Sequence, residues 1–543
     1  MKAYLREKIT AALSSMGVTT AAPVSFETPR QSGHGDLTTN IAMIVAKGTG
    51  KTSRQVAAEI AARLDPDPSL VAGVEVAGPG FINFSFTGNY YLRQLQELVR
   101  TGDSYGRSSL GRGKKVQVEF VSANPTGPLT VGHGRGAVFG DTIARMLEWT
   151  GHDVEREYYF NNAGRQMRIL GDSVRHRYLE LLGDQVHFPD DYYQGEYIRD
   201  IARHLVESDG ESLRGEPAEG KFKDRAETEI FADIKKTLGA LGIVFRSFYN
   251  ENWLYEQGKI REVIDELRAR DLAYDSEGAV WFRTSALGLE KDKVIVKSSG
   301  EPTYRLPDIA YHREKFRRGF DLMIDVFGAD HIATFPDVLA ALKALGLDER
   351  RVTVLIHQFV TILQDGEVVK MSTRKANFIT LDELIAEVGA DVVRYFFLMR
   401  TISSHLNFDL GLAKKHSDEN PVYYLQYAYA RISSILRYAG KASTGIPGDF
   451  DPALLSAPAE TDLIKTLLLF PETLESCASA YEPHRLAEYL QGVATAFHRF
   501  YHECRVVTED IPLTQSRLAL SHATRCVLRN GFDVLGISAP EQM

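Results

Sequence analysis

Pro128-Leu129-Thr130-Val131-Gly132-His133-Gly134-Arg135-Gly136 sets three alternating glycines around an imidazole, at the start of a segment that can become helix. Glycine lets a phosphate approach the backbone closely, and a helix N-terminus adds unpaired N–H donors and partial positive charge. Gly132, Gly134 and Gly136 can provide such a surface, and His133 can donate to a developing pentacoordinate phosphorus. Far along the chain, Lys370-Met371-Ser372-Thr373-Arg374-Lys375 follows Asp365-Gly366-Glu367, which has the composition of a hairpin turn. Cations on such a loop can close over the β- and γ-phosphates as charge builds on a leaving pyrophosphate. Together the two stretches suit a clamp for a nucleoside triphosphate.

Blander readings exist for both: a tight turn with a surface histidine, and a solvated charge run. Met371 and Ser372 weigh against the second, because an apolar anchor and a hydroxyl are odd choices for a purely solvated turn. Gly132 to Ala137 also matches the dinucleotide fingerprint G-x-G-x-x-A, with Glu155 near the ribose-binding distance. That fingerprint follows its strand directly, however, whereas Ser122 to Val131, with Pro125 and Pro128, separates Val121 from Gly132.

The elements that must position these residues are legible in outline. Val116 to Val121 predicts a buried strand, His133 to Thr150 a helix and Val154 to Tyr159 the next strand, which is a βαβ unit. A second half follows at Leu322 to Phe327, the helical pattern Val338, Leu339, Leu342, Leu345, and the strand Val352 to Ile356. Two such halves predict a doubly wound parallel α/β sheet. Residues 165–290 between them are expected to be a mainly helical, charged insertion. Ahead of the sheet, Leu5, Ile9, Leu13 and Met16 recur at helical spacing, and two strands flank Gly78-Pro79-Gly80, so residues 1–110 form an α+β module. The catalytic region is expected over 111–412. From 413 to 543 the pattern is helical throughout, with Asn420-Pro421 as a helix start and Leu486, Leu490, Val493, Phe497 and Phe500 as one apolar stripe.

At 543 residues, 44% apolar and 25% charged, the chain has the composition of a soluble protein of about three domains. It has no apolar run of membrane-spanning length and no secretion-type N-terminus. Its three cysteines, Cys477, Cys504 and Cys526, lack zinc-type spacing and suit a reducing compartment, so a cytoplasmic location and no metal site are expected. The net charge of −9 argues against indiscriminate polyanion binding but leaves room for a local basic track.

With these segments in place, the chain resembles the class I aminoacyl-tRNA synthetases, whose "HIGH" and "KMSKS" sequences occupy the two clamp positions, and more narrowly the arginyl-tRNA synthetases. The resemblance is carried by Gly78-Pro79-Gly80-Phe81-Ile82-Asn83-Phe84, Ser122-Ala123-Asn124-Pro125-Thr126-Gly127-Pro128, and Tyr159-Phe160-Asn161-Asn162-Ala163-Gly164-Arg165-Gln166-Met167. It continues through Tyr193-Gln194-Gly195-Glu196-Tyr197, Asp308-Ile309-Ala310-Tyr311-His312, Gly328-Ala329-Asp330-His331 and Asn420-Pro421-Val422-Tyr423-Tyr424-Leu425-Gln426-Tyr427-Ala428. Thr130 stands where the class usually has its first histidine, and Thr373 where a second lysine is common. A hydroxyl cannot carry positive charge, so more of the phosphate stabilisation falls to His133, Lys370 and Arg374.

The resemblance implies a Rossmann-like class I catalytic domain with an insertion, an N-terminal module touching the tRNA elbow and a C-terminal anticodon-binding bundle. It implies ATP-dependent attachment of L-arginine to tRNA(Arg) through an arginyl-adenylate, with Mg²⁺ held chiefly by the ATP phosphates and with a monomeric enzyme. Thr130, Gly132, His133, Gly134, Gly136, Lys370, Met371, Ser372 and Arg374 would meet ATP, His133 and Lys370 being catalytic. Glu119, Tyr304 and Asp308 match guanidinium-recognition positions, while Ser122, Asn124 and Asp330 match positions that hold the ammonium and carboxylate end. A guanidinium is a planar five-donor cation, and a compact ammonium would leave part of its acceptor array unsatisfied. Asn83, Phe84, Tyr423, Tyr427 and Arg431 are candidate tRNA contacts. Removal of residues after about 415 is expected to leave a foldable catalytic body. The rival readings are a class I synthetase for cysteine or glutamine and a non-catalytic tRNA-binding relative, the latter favoured by Thr130 and opposed by His133, Lys370 and Ser372.

Overall fold

A computed structural model describes residues 1–27, 29, 34–329, 332, 334–369, 379–441 and 450–543. The chain divides into two compact units. One comprises residues 1–103, 434–469 and 496–526. Its helix Lys2–Ser15 buries Leu5, Ile9 and Leu13 on one face, as their spacing predicts. The helix Ser53–Arg63 starts at a capping box in which Thr52 and Gln55 satisfy each other's backbone. Leu37–Thr39, Phe81–Phe86 and Val71–Ala77 form an antiparallel sheet with Phe81–Phe86 in the centre. Gly80 has φ +134°, and a Cβ there would lie 2.8 Å from the Ser53 carbonyl oxygen, so the turn needs its glycine. The helix Pro458–Leu468 packs on Gly88–Thr101, and Lys465 pairs with Asp36 at 2.7 Å.

The second unit comprises residues 104–433, 470–495 and 527–543. Its strand β1 (Lys115–Glu119) is followed by helix α1 (Val131–Trp149), strand β2 (Asp153–Phe160), strand β3 (Ser247–Asn250), helix α2 (Arg305–Arg317), strand β4 (Leu322–Gly328) and strand β5 (Val352–His357). The five strands are parallel in the order β5-β4-β1-β2-β3. This is the doubly wound order, and it reverses between β1 and β4, where the carboxyl ends of the strands open a crevice. β3 lies within the stretch expected to be helical insertion; four residues flanked by charged helices give too short a period-2 signal to be seen. A small antiparallel sheet of Ala273–Ser276, Ala279–Phe282 and Lys293–Val296 also interrupts that stretch. The hairpin at Asp365-Gly366 forms as expected, with both residues at positive φ between paired strands Val360–Gln364 and Glu367–Val368.

The C-terminal residues are not peripheral to this unit. Buried Arg394 donates to the Leu535 carbonyl at 2.9 Å and to Asp141 at 2.8 Å, and Trp149 donates to Asp533 at 3.1 Å. The predicted apolar stripe Leu486, Leu490, Val493, Phe497, Phe500 is fully buried. These contacts reverse the expectation that a fragment ending near residue 415 stands alone. Such a fragment strips the Leu535 carbonyl from a buried guanidinium and the Asp533 carboxylate from the Trp149 indole, and unmet buried donors are among the costlier defects a core can carry. It is expected to show no cooperative thermal transition by circular dichroism.

Candidate active site

Under α2 the sheet carries an unusual row of side chains. Asp325 of β4, Glu119 of β1 and Glu157 of β2 are register partners on three adjacent strands, all on the face covered by α2. All three are almost wholly buried. Lys315 of α2 places Nζ 2.6 Å from both Glu119 and Asp325. His312 Nε2 lies 2.9 Å from Asp325, and Arg318 and Tyr311 both donate to Glu157. A sheet face this polar is tolerated because each carboxylate meets a cation or a donor.

At the end of β1 the backbone turns through Val121 at φ +69° and Ser122 at φ +44°. Two consecutive residues with side chains in the left-handed region are strained, and such strain persists only where neighbours over-determine it. Ser122 Oγ donates to Glu119 at 3.0 Å and accepts the Tyr159 N–H at 3.2 Å. Asn124 Oδ1 accepts the Asn161 N–H at 3.0 Å, and its amide donates to Gln166. Both predicted residues therefore reach the carboxyl end of β2.

Asp308 lies in the first turn of α2 and is partly buried. Its dry surroundings push its carboxyl up to about 7; the negative charges of Glu119 and Glu251 push the same way, against His312 and Lys315. Tyr304, one turn earlier, is 83% exposed at the start of the helix. Glu119, expected at a guanidinium-recognition position, lies under α2. It is 2% exposed, and its two oxygens are taken by Lys315 and Ser122.

Glu251 went unread in the sequence. It follows β3 directly and accepts from Tyr159 OH at 2.7 Å and from Asn161 Nδ2 at 2.8 Å; burial raises its carboxyl above the usual range. Its negative charge contributes to raising the Asp308 carboxyl. The available signal was the polar run Asn250-Glu251-Asn252 at the carboxyl end of a strand, visible only once β3 is known to belong to the sheet.

Helix α1 starts at the same edge. Thr130 is its N-cap, and the Thr130 N–H donates to His133 Nδ1 at 3.2 Å while Thr130 Oγ1 accepts the His133 N–H at 3.5 Å. A backbone N–H can only donate, so Nδ1 carries the lone pair and the neutral ring keeps its proton on Nε2. Gly132 faces open space, a Cβ on it finding Thr130 Oγ1 at 3.6 Å, whereas one on Gly134 would meet Leu381 Cδ1 at 2.5 Å and one on Gly136 would meet His357 at 3.1 Å. Gly134 and Gly136 thus let neighbours pack against the helix. Arg135, fully buried, donates to the carbonyls of Gln358, Ser404 and Thr401, fixing α1 to the segment after β5. Thr380 bridges Thr130, and the Leu381 N–H donates to the Leu129 carbonyl at 2.8 Å. Lys370, Met371, Ser372, Arg374 and Asp330 lie outside the described residues.

The candidate RNA contacts divide. Phe84 is fully buried against Phe26 and Asn83 is 5% exposed in the central strand, so both are core residues and are withdrawn as RNA contacts. Tyr423 and Tyr427 stack at 6.2 Å between ring centres, and the Arg431 guanidinium sits 5.1 Å over the Tyr427 ring. Tyr423, Tyr424, Tyr427 and Asp418 line a cavity of about 230 Å³, while Tyr429 is buried against Phe532. Among the described residues no group of three or more His, Cys, Asp or Glu could hold a metal ion, and no helix is long and apolar enough to cross a membrane.

A model of the tRNA synthetases class I (R) catalytic domain matches residues 94–394, one of the arginyl tRNA synthetase N terminal domain matches 3–86, and one of the DALR anticodon binding domain matches 425–543. The arginine–tRNA ligase of Desulfotalea psychrophila is 53% identical over 526 residues, covering 96% of this chain and 95% of the relative. That of Salinibacter ruber is 49% identical over 100% of both. The solved Thermus thermophilus arginyl-tRNA synthetase covers 99% of both chains with a TM-score of 0.79 at 24% identity, a likeness of fold. Matched end to end at this identity, with the three family regions in order, the chain belongs to the arginyl-tRNA synthetases of class I.

Proposed function

We infer that arginine lies in the crevice with its guanidinium between Asp308 and Glu251 and its carboxylate toward the start of α1. The chain is an ATP-dependent arginine–tRNA ligase of class I. The observation that carries the placement is a pair of raised carboxyls, Asp308 in the first turn of α2 and Glu251 at the carboxyl end of β3, the charge of Glu251 adding to the rise at Asp308. Two acids crowded in a dry site ionise fully only when a cation joins them, and a guanidinium supplies a charge and donors on both edges. Tyr304 is proposed to cover the guanidinium, and Ser122 and Asn124 to orient the ammonium end. Asp330, by its motif, would assist them.

The arginine carboxylate attacks the α-phosphate of ATP, releasing pyrophosphate and giving arginyl-adenylate. A terminal ribose hydroxyl of tRNA then attacks the acyl carbon. No protein nucleophile is needed, so catalysis rests on alignment and on charge stabilisation. We propose that His133 Nε2–H and the N–H groups at Gly132 meet the phosphates, and that Lys370, with Met371, Ser372 and Arg374, meets the leaving pyrophosphate. Mg²⁺ would come as part of the metal–nucleotide substrate, and no step is assigned to it here. Tyr423, Tyr427 and Arg431 offer stacking faces for unpaired tRNA bases. The proposed divisions are an RNA-contacting module over 1–110, a catalytic region over 111–412 with an insertion over 165–290, and an anticodon-reading bundle over 413–543. A monomeric, cytoplasmic enzyme is proposed.

The test is charging of purified tRNA with each amino acid in turn. Arginine alone is expected to be transferred; transfer of cysteine or glutamine, or no transfer at all, would favour the rivals. The pH profile offers a second measurement. A guanidinium is held by the ionised form of Asp308, so kcat/KM for arginine should be flat above pH about 7 and fall about tenfold per unit below it. That inflection should be absent from Asp308→Ala.

A further inference from the structure

The carboxylate row under α2 is held by a lysine with no surface at all. Lys315 is 0% exposed, with Nζ 2.6 Å from Glu119 Oε2 and 2.6 Å from Asp325 Oδ1. Asp325 has a second support, His312 Nε2 at 2.9 Å, while His312 Nδ1 faces the Asp308 carbonyl at 2.8 Å. A carbonyl only accepts, so Nδ1 carries a proton, and one further proton is shared between Nε2 and Asp325. Glu119 passes its other oxygen to Ser122, which in turn accepts the Tyr159 N–H. A continuous chain of polar contacts thus runs from α2 through β1 to β2, and it pins the left-handed turn at Val121 and Ser122.

We propose that Lys315 is a positioning residue for the arginine site: by keeping Glu119 a charged acceptor for Ser122, it fixes the strained turn that carries Ser122 and Asn124 to the pocket. This rests on the arginine reading given above. Lys315 is buried beneath the site and cannot touch substrate. Without its ammonium, Glu119 and Asp325 form an adjacent buried pair of acids, which takes up a proton. Asp325 keeps His312, so the proton goes to Glu119 Oε2, the oxygen that Lys315 vacates; Oε1 still accepts from Ser122, but without its charge, and the bond that holds Ser122 weakens. The groups facing Glu119 are Lys315, His312, Asp308 and Tyr311 from α2, Asp325 from β4 and Tyr159 from β2. With Lys315 gone, His312 is the remaining cationic candidate in that set, so raising the pH removes the added proton and restores the charge of the acceptor.

The experiment is steady-state aminoacylation by the full chain with tRNA, ATP and arginine from pH 6.5 to 9.5, for the parent, Lys315→Met, Lys315→Gln and Asp308→Asn, each checked by circular dichroism. For Lys315→Met we expect an arginine KM raised about tenfold near neutral pH, an ATP KM within about twofold of the parent, and a variant-to-parent ratio of arginine KM that falls as pH rises above 8. Taking the ratio cancels the titration of arginine itself; because Lys315 also lowers the Asp308 carboxyl, Lys315→Met is read again on the Asp308→Asn background, where the fall with pH persists if it comes from Glu119 and its disappearance overturns the proposal. A ratio flat in pH, or equal rises in both KM values, overturns the proposal, because loosened packing alone would give either. If Lys315→Met does not fold, Lys315→Gln is read in the same way; failure of both to fold marks Lys315 as a core ion pair and overturns it. An arginine KM unmoved in Asp308→Asn would sink the arginine reading itself, whereas a response there with none at Lys315 removes only this assignment.

Discussion

Asp308→Ala is expected to lower kcat/KM for arginine by about 10²–10³-fold, with ATP binding nearly unchanged. Truncating one partner of a buried, hydrogen-bonded charge pair costs roughly 2–5 kcal/mol, much of it because the other charge is left unpaired. Here the unpaired charge is the substrate's own guanidinium, which has no neutral form near physiological pH. Asp308 lies in the first turn of α2, whereas the Thr130–His133 cap belongs to α1, so the nucleotide end should not respond. Arginine saturation in pyrophosphate exchange with tRNA present measures the effect, and nucleotide protection against thermal unfolding measures the control. An unchanged arginine KM would remove Asp308 from the pocket.

The second large effect is expected at His133. His133→Ala should reduce kcat by about 10²–10³-fold with both KM values within a few-fold, as for loss of one preorganised donor to a developing anion. The geometry sharpens this. Because Thr130 occupies Nδ1 with its backbone N–H, the imidazole presents Nε2–H without needing to be protonated. His133→Asn, which can keep an acceptor toward Thr130 and a donor outward, should recover part of the lost rate. Single-turnover formation of arginyl-adenylate separates this from any change in tRNA transfer. Equal rates for Ala and Asn would mean that the ring acts only as part of the helix cap.

The parallel sheet was legible because β4 and β5 are largely apolar runs of strand length and β1 alternates valines with polar residues, next to strong helical periods. β3 was not, since Ser247–Asn250 is short, polar and set among charged helices. The loss of β3 hid Glu251, for a carboxylate is informative only when its place at a strand's carboxyl end is known. Glu119 and Asp308 were found by motif, yet nothing local could show that Lys315 would occupy one oxygen of Glu119. That contact joins residues far apart in sequence and depends on strand register. Phe84 and Asn83 illustrate the opposite error: a motif marked them, but the alternation of Phe81–Phe86 turns Phe84 into the core. Thr130 was read as a lost positive charge, whereas its place at the N-cap gives it a different task, setting the tautomer of His133.

The Arg394 bond to Leu535, together with the Trp149 bond to Asp533, bears on synthesis at the ribosome. Translation delivers α1 and the switch-point crevice early, but the carbonyl and carboxylate that complete the hydrogen bonding of Arg394 and Trp149 emerge almost last. A nascent chain would therefore hold an incomplete catalytic fold through most of elongation. Stop codons or frameshifts near the 3′ end of the message should then yield species destined for proteolysis, not partly active enzyme.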